Sequence, residues 1–121
     1  MERVNAVRAA HQLPPMAVNF ALVRAARAHS HDMLRQGFFA HGDFASRIRA
    51  QGVGFPFLAE NLAWGTGPYG SPRAIVGSWL ASPGHRANLL HPRLRKIGIG
   101  APVGTFSGYP GATVVTADFA G

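Results

Sequence analysis

The chain has no cysteine, which excludes disulfides, thiolate zinc sites and cysteine nucleophiles. It leaves the compartment open, because a well-cored domain can be exported without disulfides. Lysine is nearly absent too, Lys96 being the single example, and acidic residues number 5 against 12 lysines and arginines. No apolar run approaches the ~18 residues that span a bilayer. The opening Met1-Glu2-Arg3-Val4-Asn5-Ala6-Val7-Arg8 alternates charge with apolar residues and lacks the apolar stretch of a signal peptide. The expectation is either a protein that stays inside the cell or the mature or trimmed form of an exported one. No internal repeat and no linker interrupts the chain.

What is present is the material of a core. Of 121 residues, 47% are hydrophobic and 14% charged, and the 15 glycines and 9 prolines are spread between apolar runs, unlike a disordered or low-complexity chain. This reads as a single domain over residues 1–121, long enough to bury roughly two-thirds of the surface its unfolded chain exposes. The net charge of +7 is almost wholly arginine. It would attract nucleic acid, anionic lipid headgroups or acidic wall polymers at low salt. A solvated basic surface is the simpler reading. The aromatics read as core residues, which leaves no stacking platform for bases, so no specific nucleic-acid partner is expected.

Val4, Val7 and His11 recur at helical spacing up to Leu13-Pro14-Pro15, which ends a first helix. Asn19 is a good N-cap for a longer helix over Phe20 to Gln36, and Gly37 offers its left-handed stop. Leu22, Ala26, His29 and Met33 form the inward stripe of that helix, and Arg24, Arg27, His31 and Arg35 the outward one. Asp43 caps a short helix holding Phe44 and Ile48, with Gly52 as its stop. Phe57 to Trp64 is an apolar segment of strand length bounded by Gly65-Thr66-Gly67-Pro68. Ser71-Pro72 and Ser82-Pro83 each read as an N-cap followed by proline in the first turn, opening two further helices. Ile97 to Val103 and Thr113 to Phe119 read as strands joined by a glycine-rich loop from Gly104 to Gly111. This order points to an α+β domain with a small antiparallel sheet covered by helices.

Three phrases hold the residues suited to chemistry: Phe38-Phe39-Ala40-His41-Gly42, Ala59-Glu60-Asn61-Leu62-Ala63, and Ser82-Pro83-Gly84-His85-Arg86-Ala87-Asn88-Leu89-Leu90. With Ser82 as N-cap, His85 lies at the third helical position, where the helix dipole disfavours an imidazolium. A neutral imidazole can bind a metal or accept a proton; it can equally do no more than hydrogen-bond a neighbouring loop. His41 follows two phenylalanines that are drawn to the core, which fixes it near buried surface. Glu60 stands in the most apolar strand, where a carboxylate needs a cation, a metal or several donors to remain ionised. His29, on an inward stripe beside Met33, reads as a satisfied core histidine. His11 and His31 read as exposed, and His91 as an outside candidate for a rim contact.

Several familiar patterns fail. There is no H-E-x-x-H pair and no G-x-S-x-G elbow. Gly98-Ile99-Gly100 with Gly104 lacks the helix that a phosphate loop needs. Glu60 with Asp43 or Asp118 could form a glycosidase carboxylate pair, a chemistry that depends on their separation.

Taken in order, the three phrases resemble the CAP superfamily of cysteine-rich secretory proteins, insect antigen-five allergens and plant pathogenesis-related proteins, in its short, cysteine-free bacterial branch. The resemblance covers nearly the whole chain, from Val4-Asn5-Ala6-Val7-Arg8 through Trp79-Leu80-Ala81-Ser82 to Thr116-Ala117-Asp118-Phe119. It implies a three-layer α-β-α sandwich whose open cleft collects His41, Glu60 and His85, in some members around a divalent ion, usually zinc, with His41 and His85 as the metal ligands. Ser82 takes the place of a glutamate found in animal and plant members, three residues after the helix tryptophan. Two imidazoles alone make an incomplete zinc shell, so zinc is expected to be weakly held or absent in the purified domain. Ala59 stands where a glycine commonly precedes the glutamate. The resemblance further implies a secreted or periplasmic monomer whose cleft binds a small molecule, lipid, glycan or cell-wall ligand. The alternative is a metal-assisted hydrolase of peptide or wall substrates with Glu60 as its catalytic base. Fold alone does not choose between them.

Overall fold

The computed structural model describes residues 1–121. In chain order the elements are α1 (Glu2–Ala10), β1 (Ala17–Val18), α2 (Phe20–Gln36), α3 (Phe44–Arg49), β2 (Leu58–Thr66), a 3-10 turn (Gly67–Gly70), α4 (Pro72–Leu80), α5 (Pro83–Leu89), β3 (Lys96–Gly100), β4 (Val103–Phe106) and β5 (Tyr109–Ala120). β5 is the centre of the sheet, antiparallel to β2, β3 and β4, and β1 adds a short parallel pair to the outer edge of β3. Where a loop is expected over residues 104–111, the chain instead forms the β4–β5 hairpin, and the parallel edge strand is a further addition to the expected elements. Alternation explains the hairpin: Phe106 and Ala112 turn inward across a tight turn at Ser107-Gly108, both at positive φ.

The period-2 pattern of β5 divides the core in two. Val115, Ala117 and Phe119 pack with Ile97 against Val4 of α1, Ile75, Val76 and Trp79 of α4 and Leu89 of α5. On the opposite face, Ala112 and Val114 meet Met33, while Ala120 meets Leu22, Ala25 and Ile48. Helices therefore cover both faces, giving the three layers. α2 lies against β3 because Gly98 and Gly100 present no side chain: a Cβ at Gly100 would stand 2.6 Å from the Arg27 backbone, and one at Gly98 would meet the backbone of Leu22 and Val23.

Asn19, Asp43 and Ser71 cap their helices through side-chain oxygens, and Gly37 ends α2 at φ +71°. Three expectations differ. α3 ends at Arg49, before Gly52. Phe39 is 46% exposed rather than in the core. On α1 the inward pair is Val4 and Arg8 rather than Val4 and Val7, and His11 is exposed as expected. Arg8 is fully buried and donates to the carbonyls of Pro14 (2.8 Å), Leu89 (2.9 Å) and His91 (3.1 Å). Three carbonyls from two loops and a helix end replace its water, which a charge in a sequence does not reveal.

Candidate functional site: a histidine and carboxylate cleft

Glu60 is the third residue of β2, opposite Asp118 of β5, and both point to the α2 face along with Leu62 and Val114. The Glu60 side chain has no exposed surface. Its oxygens are held by Arg47 of α3, whose Nη2 donates at 2.9 and 2.8 Å, and by His41, whose Nδ1 lies 2.8 Å from Oε1. The same Arg47 nitrogen also donates to the His41 carbonyl at 2.6 Å, so α3 locks both members of the pair. His29 completes the support from behind. It is buried, its Nε2 lies 2.7 Å from the Ala40 carbonyl and its ring meets Phe38 edge-on, which fixes the segment leading into His41.

Burial pushes Glu60 towards neutrality, but its neighbours Asp118, Arg47 and His41 outweigh it and hold its pKa below the usual carboxylate value. Asp118 goes the other way, pushed up to about 9 by burial and by the neighbouring Glu60. Neither Asp118 oxygen has a hydrogen-bond partner. Buried beside Glu60 without a partner for its charge, Asp118 is held as the neutral acid. Two adjacent buried carboxyl groups thus carry one negative charge, and Arg47 balances it.

His85 lies in the first turn of α5, where Asn61 pins the helix by donating to the His85 carbonyl at 3.1 Å and accepting from Asn88 at 2.9 Å. Ser82 does not cap α5 with its hydroxyl; that oxygen pairs with His85 Nδ1 at 3.0 Å. The His85 pKa is lowered, first by burial and then by the neighbouring His41. The direction matches the expected neutral ring, while the causes are desolvation and a neighbouring imidazole.

Each imidazole is therefore tied through Nδ1, His41 to a carboxylate and His85 to a hydroxyl, which leaves the Nε2 atoms for a ligand. His41 lines an open groove of about 330 Å³ with Gly42, Phe44, Leu58, Ala59, Glu60 and Asn88. Zinc requires three or four protein ligands, and no group of three or more His, Asp or Glu side chains is placed to hold an ion. Both Glu60 oxygens are engaged by a guanidinium, so the donor set here does not complete a metal site. The Glu60 side chain, without exposed surface, orients His41 from behind. The glycosidase pairing fails on the same ground, since Asp118 is buried and Asp43 is occupied by the Ser46 amide and hydroxyl at 3.1 and 2.7 Å. His91 keeps to the structure, its Nδ1 accepting from the Arg93 amide.

Arg47 and the role of Asp118 do not stand out in the sequence. A buried Glu60 calls for a cation, and α3 offers the arginines nearest along the chain. Asp118 shares parity with the inward Val114 and Thr116, a signal for burial.

A three-layer α-β-α sandwich with a histidine and carboxylate cleft at one sheet edge defines a CAP-type domain. The family model of the cysteine-rich secretory protein family, CAP, matches residues 1–119, and the chain belongs to that family. It is 32% identical over 105 residues to the protein YkwD of Bacillus subtilis (strain 168), covering 83% of this chain and 40% of YkwD. Among solved structures it resembles an extracellular SCP-domain protein from Bacillus anthracis str. Ames, with a TM-score of 0.81 at 30% identity over 97% of this chain and 37% of that one. An outer surface protein from Borrelia burgdorferi shares the fold, with a TM-score of 0.83 at 20% identity over 98% of this chain and 86% of that one. The chain thus spans well under half the length of its Bacillus relatives.

Proposed function

We propose that this chain is an extracytoplasmic, monomeric binding domain whose cleft at His41, Glu60, His85 and Ser82 recognises a polyhydroxylated cell-wall or glycan ligand in preference to a lipid. The observation that carries the reading is the orientation of His41 by a buried, Arg47-locked Glu60. A group held this rigidly suits ligand recognition through Nε2. The groove beside it mixes Phe44, Leu58 and Ala59 with His41 and Asn88, the pairing of apolar face and hydrogen-bonding groups that a sugar ring presents. Placement outside the cytoplasm is supported by the Bacillus anthracis relative, described as an extracellular protein. No helix here is long and apolar enough to cross a membrane. Zinc held by two imidazoles alone would be weak, and it is tested alongside.

Soluble peptidoglycan fragments titrated into the labelled protein should shift the His41 and His85 ring resonances, and a His41→Ala, His85→Ala variant should bind at least about tenfold more weakly. Calorimetry with zinc alone should show at most weak binding, lost in the same variant. Fragments that bind the variant as well as the wild type would place recognition elsewhere. Steady release of cleaved fragments by the wild type, lost in His41→Ala, would instead make the cleft hydrolytic.

A further inference from the structure

Beyond the cleft, and independent of it, one end of the sheet carries a surface of its own. The strand ends at Ala17, Lys96, Ala120 and Leu58 come together there, because β1 runs with β3 while β3 and β2 both run against β5. Three apolar side chains stand out from this end: Phe20 at 76% exposure, Val18 at 50% and Phe57 at 44%. Elsewhere on the chain an exposed aromatic would be unremarked. Here they stand among arginines.

Arg24 follows Phe20 by one helical turn and donates to Gln51. Arg49 donates to the carbonyl of Phe55 at 3.2 Å. Arg93 lies over the Phe57 ring, 5.2 Å from its centroid. Phe57 is tied in turn to Gly121 by two backbone hydrogen bonds, and the Arg95 backbone bonds to both Ala120 and Ala17. Arg93 and Arg95 are therefore anchored at the sheet end.

The acidic residues are all otherwise engaged or distant. Glu60 and Asp118 are buried, Asp32 pairs with Arg35 at 2.8 Å, and Asp43 caps α3. Glu2 opens α1, where its neighbour Met1 borders Gly70 and Thr113 at the opposite end of the sheet. A cationic rim without carboxylates would suit any polyanion. The phenylalanines favour a bilayer, because its headgroup layer takes aromatic rings and meets arginine with phosphate at one surface.

We propose that this end of the molecule docks on an anionic lipid bilayer, with Phe20 and Phe57 entering the headgroup layer and the surrounding arginines meeting its phosphates. Leu58, at the docked end, also walls the groove beside His41, so a docked molecule would hold its cleft next to the membrane surface.

Co-sedimentation with phosphatidylcholine vesicles, pure or carrying roughly half phosphatidylglycerol, tests this. The wild type should partition onto the anionic vesicles and not the neutral ones. Near such a surface each cation contributes about a fivefold gain, so Arg93→Glu with Arg95→Glu should lower partition at least about 25-fold. Phe20→Ser with Phe57→Ser, all charges kept, should lower it about tenfold. A Phe20→Trp variant should shift its emission to the blue with the anionic vesicles alone. The substituted side chains are partly or wholly exposed, so unchanged circular dichroism checks the fold. Failure to partition overturns the proposal, as does a serine variant that partitions like the wild type. An equal loss in Arg35→Glu with Arg73→Glu, away from this end, would overturn it too, by showing diffuse attraction.

Discussion

Glu60 and Asp118 face each other across the β2–β5 pair, and at neutral pH only Glu60 is charged. The Asp118 pKa is raised on folding, from 3.8 to about 9. Between those values the unfolded chain has released this proton and the folded chain retains it, so for this group stability is complete below the unfolded value and falls as pH rises through the window. Asp118→Asn keeps the shape of the side chain and cannot ionise. Its melting temperature should match the wild type near pH 4 and exceed it by several degrees at pH 8.5, at about 4 °C per kcal/mol for a domain of this size. Equal melting temperatures at both pH values would mean that Asp118 is not held as the neutral acid. Residues are the scale at which the sequence speaks least evenly. His41, Glu60 and His85 stand out because their phrases are compact, whereas Arg47 looks like one more surface arginine and Arg8 like another. What distinguishes those two is the carbonyls and carboxylate they reach, brought from distant parts of the chain.

Elements are more legible, because their signals are local. The caps Asn19, Asp43 and Ser71 and the stop at Gly37 are short-range chemistry, and α2 spans the expected residues. β1 is invisible in the sequence: two exposed residues, Ala17 and Val18, have no pattern to read, and their pairing depends on β3 some eighty positions away. The packing of α2 on β3 makes a sharp prediction about glycine. Gly100→Ala should cost at least about 2 kcal/mol, since backbone on both sides must part to admit the methyl. Gly77→Ala, on the exposed side of α4 with nothing within 4 Å, should stabilise by about 0.5–1 kcal/mol through helix propensity. Urea unfolding of the two variants checks both signs. A neutral Gly100→Ala would show that α2 can ride away from the sheet.

At the scale of the whole molecule, β5 is the element on which the rest depends. It pairs with β2, β3 and β4, and both cores draw on its alternate side chains. The sequence implies the sandwich through resemblance and the α+β class through element order, but the register that sets Glu60 against Asp118 is a non-local pairing that no window of residues contains. Helices α1 to α5 all precede the strand that organises them. A chain ending at residue 108 should therefore keep some helical circular dichroism yet melt without a cooperative transition. A sharp melt in that fragment would show that the helical layers hold together unaided.

The late position of β5 also bears on how the protein is made. A ribosome delivers the α-helices and β2 first, with no sheet centre for them to join, and only residues 109–120 let the two layers close around a core. Until then the nascent chain stays open and threadable, and the domain acquires its shape in a single late event rather than by gradual accretion.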